Sequence, residues 1–203
     1  AYRVRGGARY RPSRIHPARM INFILMIDAW FEHLMLSVRT PFFVEFFSGV
    51  TFFGDILTVI IIAALVSIFL LSAPRRMYIA GLVTTLFGAV ASVYVLKTFI
   101  ARARPGGLLS AISETSFSFP SWHAAASVAL YGFIAFLLCR LYPERKRAVT
   151  IVATILILLI GFSRLYLGVH FPSDVIAGYL LGGLWLYIGI RVTKKFDKTV
   201  VIG

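Results

Sequence analysis

Long apolar runs separated by short polar segments are the main feature of this chain. Each of five runs is close to the roughly 20 residues that a helix needs to cross the hydrocarbon of a bilayer, and each is almost free of charge. Approximate limits of the five runs are Phe52–Leu71, Met77–Leu96, Ser121–Cys139, Ala148–Phe162 and Val175–Val192. The pattern predicts an all-α integral-membrane bundle with five clear transmembrane helices.

Residues 21–50 follow a different pattern, in which charged residues interrupt the apolar and aromatic ones. Asp28 and Glu32 are four residues apart and would share one helix face, which suits a helix at the membrane interface better than one facing lipid. We predict one or two amphipathic interfacial helices, broken at Pro41, and then expect a further span upstream of Ala1. The alternative makes residues 21–38 a sixth span.

Basic residues indicate the orientation of the bundle. They cluster in the turn between the first two runs, in the turn between the third and fourth, and after the fifth. By the positive-inside rule these three sites are cytoplasmic. The opposite, outer face then receives residues 97–120 and 163–174, and we expect a multi-pass protein of the inner (plasma) membrane with its active site on that face. The basic residues concerned are Arg75, Arg76, Arg140, Arg145, Lys146, Arg147, Arg191, Lys194, Lys195 and Lys198.

Composition agrees with a membrane protein. Of the 203 residues, 59% are hydrophobic and 14% are charged, with a mean hydropathy of +0.86, whereas a soluble domain averages about 25% charged residues. The net charge of +13 would suggest nucleic acid in a soluble protein, but the basic residues flank the apolar runs, so we predict no nucleic-acid partner. Residues 1–20 carry six arginines and are predicted to form a flexible basic tail before one membrane domain, residues 21–203.

Three polar clusters on the predicted outer face have the composition of an anion site. Pro120 and Pro172 each stand where a helix would begin, and the free N–H groups of helix N termini bind phosphate. Lys97, Arg104 and Arg164 are cations at about the same membrane depth, where charges are costly and usually functional. Arginine grips phosphate oxygens with two donors and lysine adds a point charge, so the clusters predict a pocket for a dianion.

Two histidines add catalytic chemistry to this pocket. His170 lies just before a helix whose first turn contains Asp174, so the carboxylate could fix the imidazole tautomer and raise its nucleophilicity. His123 is then available to donate a proton to the leaving oxygen. The outer face offers chiefly Asp174 and Glu114 as carboxylates, too few for a Mg²⁺ or Zn²⁺ site. We therefore predict a metal-independent enzyme without a cofactor.

The motifs K-x6-R-P from Lys97, P-S-x-H from Pro120 and S-R-x5-H-x3-D from Ser163 closely resemble those of the phosphatidic acid phosphatase type 2 superfamily. Their order and placement at helix ends make the resemblance specific, and it covers roughly residues 40–195. It implies a helical bundle and a phosphohistidine intermediate. The implied roles are nucleophile for His170, proton donor for His123, orientation of His170 for Asp174, and phosphate binding for Lys97, Arg104, Arg164, Ser121 and Trp122.

One position departs from the family pattern. The second motif of the superfamily usually has glycine where this chain has Trp122, and glycine lets the backbone approach a phosphate closely. Tryptophan could still donate its backbone N–H if the helix has begun there, or its ring could line the lipid entrance.

The resulting functional hypothesis is a membrane phosphatase acting on a lipid phosphate or a polyprenyl diphosphate, with undecaprenyl diphosphate favoured. Its partners are then the lipid substrate and membrane lipids. Phosphatidylglycerophosphate, phosphatidic acid or a lipid A phosphate are alternative substrates. Two other classes stay open, a vanadate-dependent haloperoxidase, although such proteins are soluble, and a non-catalytic lipid-phosphate binder or transporter. The oligomeric state is not predicted.

Overall fold

The computed structural model describes residues 17–71, 75–105, 110–112 and 114–199. These residues form seven α-helices and one short 3-10 helix, with no strand among them. The predicted basic tail lies outside the described residues except for residues 17–20, which are helical. In chain order the helices are α1 (Pro17–Ser37), α2 (Pro41–Phe52), α3 (Ile56–Leu70), α4 (Met77–Ile100), α5 (Trp122–Leu141), the 3-10 turn (Pro143–Arg145), α6 (Lys146–Tyr166) and α7 (Pro172–Thr199).

The five predicted spans correspond to α3 to α7, and several helices are longer than predicted. The fourth run was expected to end at Phe162 but α6 continues to Tyr166, and α7 begins at Pro172, ahead of the predicted Val175. By length and composition six described segments could cross a membrane: Arg19–Ser37, the segment Pro41–Leu70 that combines α2 and α3, and one segment for each of α4 to α7. The all-α membrane bundle predicted from the sequence is thus confirmed.

Small residues bring α5 and α7 close together at the centre of the bundle. A Cβ atom on Gly178 would lie 2.6 Å from the Ser121 carbonyl oxygen, and one on Gly182 would lie 2.5 Å from the Ala125 carbonyl oxygen. Ala125 itself is fully buried. Because apolar burial does not drive helices together inside lipid, such close backbone approach is how transmembrane helices gain packing energy. The two helix starts are therefore held in a fixed relation.

The bundle has two chemically different ends. At the site end, α4 and α6 finish while α5 and α7 begin, and the three predicted polar clusters lie here. At the basic end, α3 gives way to α4 through Arg75 and Arg76, and α5 to α6 through Arg145. This alternation matches the distribution of charge expected from the sequence.

Helix α1 lies across the site end. Asp28 contacts Ser173 at the start of α7, whereas Met35 packs with Tyr166 and Leu167 at the end of α6. Asp28 and Met35 are seven residues apart, which is about 10 Å along a helix. The residues they contact nevertheless lie at the same end of the bundle. These contacts favour the interfacial orientation over a sixth span for α1, although its length and composition would allow either.

Candidate active site

The first turns of α5 and α7 are joined by a backbone hydrogen bond. Ser121 N–H donates to the Asp174 carbonyl oxygen at 3.0 Å. Helix α5 is N-capped by the Ser121 hydroxyl, which accepts the Ala124 N–H at 3.5 Å, so Pro120 precedes the cap instead of opening the helix. Pro172 does open α7, and the Asp174 carboxylate accepts the Phe171 N–H at 2.9 Å. This arrangement brings His123 close to His170 and Asp174, although it is distant from both in sequence.

His170 is held between an aspartate and an arginine. Its Nδ1 lies 3.4 Å from Asp174 Oδ2, but the two atoms do not form a hydrogen bond, and this buried nitrogen has no hydrogen-bond partner in the described part of the chain. Its Nε2 lies 3.2 Å from Arg104 Nη1. Because a guanidinium only donates hydrogen bonds, Nε2 must carry the lone pair and the ring proton belongs on Nδ1. Burial lowers the pKa of His170 to about 4, so the ring is neutral at pH 7.

Arg104 is fixed by backbone acceptors on both sides. It follows α4, whose C-cap residue Ala101 has a left-handed conformation (φ 47°). Its guanidinium donates to the Val169 carbonyl oxygen at 2.7 Å and to the carbonyl oxygen of Ser116, also at 2.7 Å. The cation is therefore aimed at His170 before any substrate binds.

Arg164 is the most deeply buried cation of the site, with 1% of its surface exposed. It lies in the last turn of α6, donates from Nη1 to the Thr51 hydroxyl at 2.8 Å and pairs through Nη2 with the Glu114 carboxylate. Glu114 also lies 3.5 Å from Arg104 Nη2. A carboxylate thus already occupies donors of both arginines. The sequence indicated Glu114 only as one of few carboxylates on this face, and did not predict this contact.

A cleft of about 480 Å³ opens beside these groups and runs between α3 and α4. Its polar end contains both histidines, while its walls along the two helices are apolar. Lys97 reaches the polar end from the last turn of α4 and donates to the Phe117 carbonyl oxygen. The lining side chains used below are Lys97, Arg104, Glu114, His123, His170, Ile56, Ile60, Val90 and Tyr94.

Most of the sequence-predicted site residues meet at this cleft, and three do not line it directly. Asp174 and Arg164 lie behind His170 and Glu114, in contact with them. Ser121 is fully buried and its hydroxyl serves as the helix cap. Trp122 lines the cleft as the first residue of α5, and its indole Nε1 is buried without a hydrogen-bond partner.

Sequence reasoning missed the close packing of the turn between α2 and α3 against His123. A Cβ on Gly54, in the turn between α2 and α3, would lie 3.0 Å from His123 Cδ2 and 2.7 Å from Ile160 Cγ2. Only a residue without a side chain allows the turn to pack against the imidazole here. A lone glycine between two apolar runs carried no signal that would have identified it. Within the described part of the chain, no group of three histidine, cysteine, aspartate or glutamate side chains converges as a metal site would require.

A helical membrane bundle with cations and two histidines at the polar end of an apolar cleft is the arrangement expected of an integral-membrane enzyme that acts on phosphorylated lipids. The sequence profile of the PAP2 superfamily matches residues 76–198, and this chain belongs to that superfamily. It is 32% identical over 186 residues to phosphatidylglycerophosphatase B of Bacillus subtilis, covering 88% of this chain and 87% of that protein.

Two further comparisons agree with this assignment. Lipid A 4'-phosphatase of Bacteroides thetaiotaomicron is 29% identical over 197 residues, which cover 88% of this chain and 84% of that protein. The crystal structure of the transmembrane PAP2 type phosphatidylglycerolphosphate phosphatase from Bacillus subtilis superposes with a TM-score of 0.69 at 28% identity, over 91% of this chain and 96% of that one. The protein is therefore a membrane enzyme that hydrolyses a lipid phosphate.

Proposed function

We propose that this enzyme removes the terminal phosphate of phosphatidylglycerol phosphate through a phosphohistidine on His170. The observation that carries the mechanism is the approach of Arg104 Nη1 to His170 Nε2 at 3.2 Å. When substrate binds, Arg104 Nη1 would exchange this nitrogen for a phosphate oxygen, which frees the lone pair of the imidazole and places phosphorus beside it. Asp174, on the opposite side of the ring, would stabilise the positive charge that develops during attack.

The reaction proceeds in two displacements. His170 Nε2 attacks phosphorus, the bond between phosphorus and the lipid oxygen breaks, and His123 gives a proton to the departing oxygen. Water then attacks the phosphohistidine, His123 takes a proton from that water, and the bond between nitrogen and phosphorus breaks. Inorganic phosphate leaves and both histidines return to their starting states. Lys97, Arg104 and Arg164 neutralise the charge of the phosphoryl oxygens throughout.

Substrate phosphate replaces the Glu114 carboxylate on the two arginines. Glu114 bridges Arg164 and Arg104 in the substrate-free protein, and its side chain is 27% exposed, so it can turn towards solvent. A dianion offers more acceptor oxygens to the guanidinium forks than one carboxylate does. The buried Arg164 therefore has an anionic partner both in the substrate-free protein and in the complex with substrate.

The lipid enters sideways from the membrane through the cleft between α3 and α4. The walls formed by Ile56, Ile60 and Val90 are apolar over several helical turns, and such walls accept an acyl or a prenyl chain equally well. The distribution of basic residues at the opposite end of the bundle supports an outer-face location for the site. Undecaprenyl diphosphate, favoured on sequence alone, stays a prediction, because the relatives matched over most of this chain carry other substrate names.

The test is phosphate release by purified protein in detergent, assayed with phosphatidylglycerol phosphate, undecaprenyl diphosphate, phosphatidic acid and lipid A. We expect the first lipid to give the highest kcat/KM and His170→Ala to abolish turnover of all of them while the melting temperature is kept. Preference for another lipid would change the proposed substrate and leave the mechanism standing. Full activity of His170→Ala would overturn the mechanism.

Metal dependence is tested in the same assay. Because the proposed steps use only side chains of this chain, dialysis against EDTA should leave the rate unchanged. A large loss that Mg²⁺ restores would contradict the metal-independent scheme.

A further inference from the structure

Asp28 is a buried carboxylate on a helix whose other side chains are largely exposed. Only 2% of its surface is accessible, whereas Glu32, one turn further along α1, is half-buried. The predicted interfacial helix thus buries Asp28 inside the protein instead of exposing it to water. Its Oδ1 accepts the Ser173 N–H at 3.0 Å, and its Oδ2 accepts from the Ser173 hydroxyl and from Arg102 Nη2, the latter at 2.8 Å. Buried carboxylates are costly unless they are paired, so the contact with Arg102 is the reason Asp28 can lie here.

Arg102 connects this carboxylate to the catalytic aspartate. One guanidinium nitrogen, Nη2, bonds Asp28, while Nη1 bonds Asp174 Oδ1 at 2.7 Å and the Ser173 hydroxyl, also at 2.7 Å. The guanidinium carbon lies 4.1 Å above the centre of the Phe171 ring. Arg102 is not among the residues that line the cleft. It therefore contacts Asp174 from behind, on the side away from the substrate.

Each carboxylate oxygen of Asp174 therefore accepts a hydrogen bond. Oδ1 accepts from Arg102, and Oδ2 accepts the Phe171 N–H at 2.9 Å while facing His170 Nδ1. A carboxylate held at both oxygens cannot rotate about its terminal bond without losing a charge-assisted hydrogen bond. The weak, long contact between Asp174 and His170 thus depends on groups other than His170 for its orientation.

The charges of the cluster explain why a second carboxylate is needed. Arg102 alone would neutralise Asp174 and weaken its support for a positive charge on His170. With Asp28 present, the two carboxylates and one guanidinium sum to one negative charge, the charge of a lone aspartate. Asp28 therefore restores the charge that Arg102 removes.

We propose that Arg102 and Asp28 are positioning residues that hold Asp174 in the orientation and charge state needed by His170. The proposal rests on the nucleophilic role of His170 described above. It gives α1 a part in catalysis, because α1 supplies one carboxylate of the cluster. A purely mechanical attachment of α1 to the bundle would instead affect stability alone.

The experiment compares Asp28→Asn and Arg102→Gln with wild type in detergent, using dioctanoyl phosphatidic acid as the probe. We expect kcat to fall about 10- to 100-fold in each variant, as for loss of a hydrogen bond between buried charged groups, with KM within about twofold because neither residue lines the cleft. The double variant should lose little more than either single one, because both act through Asp174. Glu32→Gln removes the same charge from the same helix and should keep full kcat.

Three results would overturn the proposal: unchanged kcat in Asp28→Asn, a raised KM at unchanged kcat, or losses that simply add in the double variant. Should Asp28→Asn fail to fold, Arg102→Lys decides, since lysine keeps the charge but replaces the two terminal nitrogens of the planar guanidinium fork by a single ammonium, which does not fix the orientation of both carboxylates. A parallel His170→Ala separates the two proposals. If it is inactive while Asp28→Asn and Arg102→Lys are fully active, only the positioning role fails. If His170→Ala is itself active, the proposed mechanism fails first.

Discussion

The polar end and the apolar walls of the cleft differ in how firmly their side chains are held. At the polar end, Arg164 and His170 are at least 96% buried and Arg164 has a charged partner. Along the walls, Ile60 is 59% exposed and Val90 is 41% exposed. Charges act through fixed positions, whereas apolar contact is non-directional and tolerates many chain shapes. We therefore expect changes at the polar end to alter kcat, and changes in the walls to alter KM according to lipid chain length.

After the complete loss of turnover expected for His170→Ala, the largest fall in kcat is expected for a substitution at His123. His123→Ala should lower kcat for a lipid phosphate by about 10²- to 10⁴-fold, because the leaving alkoxide then departs without a proton. The loss should be much smaller for p-nitrophenyl phosphate, whose leaving group is stable as an anion. Steady-state rates on both substrates measure the difference, and equal losses would remove His123 from the role of acid.

The pH dependence of kcat/KM tests whether water is excluded from the polar end of the cleft, as the burial of its side chains indicates. Only neutral His170 can attack, and burial lowers its pKa to about 4. The acidic limb of kcat/KM should therefore lie near pH 4, with activity falling about tenfold per pH unit below it. Protein stability should decline from about pH 6.5 downwards, because the unfolded histidine takes up a proton before the folded one does.

If the acidic limb of kcat/KM instead lay near pH 6.5, His170 would be in contact with water. The profile should be repeated on Glu114→Gln, since a limb that disappeared in this variant would belong to Glu114 and not to the nucleophile.

A smaller effect, on inhibition by a phosphate analogue, is expected when Glu114 is substituted. Glu114→Gln removes the carboxylate that competes with phosphate for Arg164 and Arg104, so inhibition by orthovanadate should strengthen by up to about tenfold, the effect being limited by the partial exposure of Glu114. The matched control is Glu144→Gln at the basic end, which makes the same change in net charge and should leave inhibition unaltered. Weaker inhibition of Glu114→Gln would show that the carboxylate assists anion binding.

The smallest effect is expected in the walls. Val90→Trp should raise KM for a long-chain phosphatidic acid by a few-fold through steric narrowing of the cleft, and leave p-nitrophenyl phosphate hydrolysis unchanged. Val95→Trp places the same side chain on the same helix outside the cleft and is the control. A fall in kcat for both substrates in Val90→Trp would mean that walls and polar end are not independent.

Sequence reasoning was strongest where the signal is local. Span positions follow from uninterrupted apolar composition, and the break before Pro41 and the helix start at Pro172 follow from the chemistry of proline. It was weaker where one side chain has two possible partners. The support of phosphate by Ser121 stays a prediction, and the structure shows in addition that its hydroxyl caps α5. Nothing in the spacing of residues distinguishes these roles, because both use the same hydroxyl at the same helix end.

The sequence alone determined that this chain is a bundle of membrane helices, which end carries the basic residues, and which motifs bring phosphatase chemistry. Each of these depends on neighbours along the chain. Only the tertiary structure decided which charges pair: Asp28 and Arg102 are 74 residues apart, Arg102 and Asp174 are 72 apart, and Arg164 and Glu114 are 50 apart. The physical reason is that a buried charge needs a partner within hydrogen-bonding distance, and helix packing, not sequence order, brings these partners together.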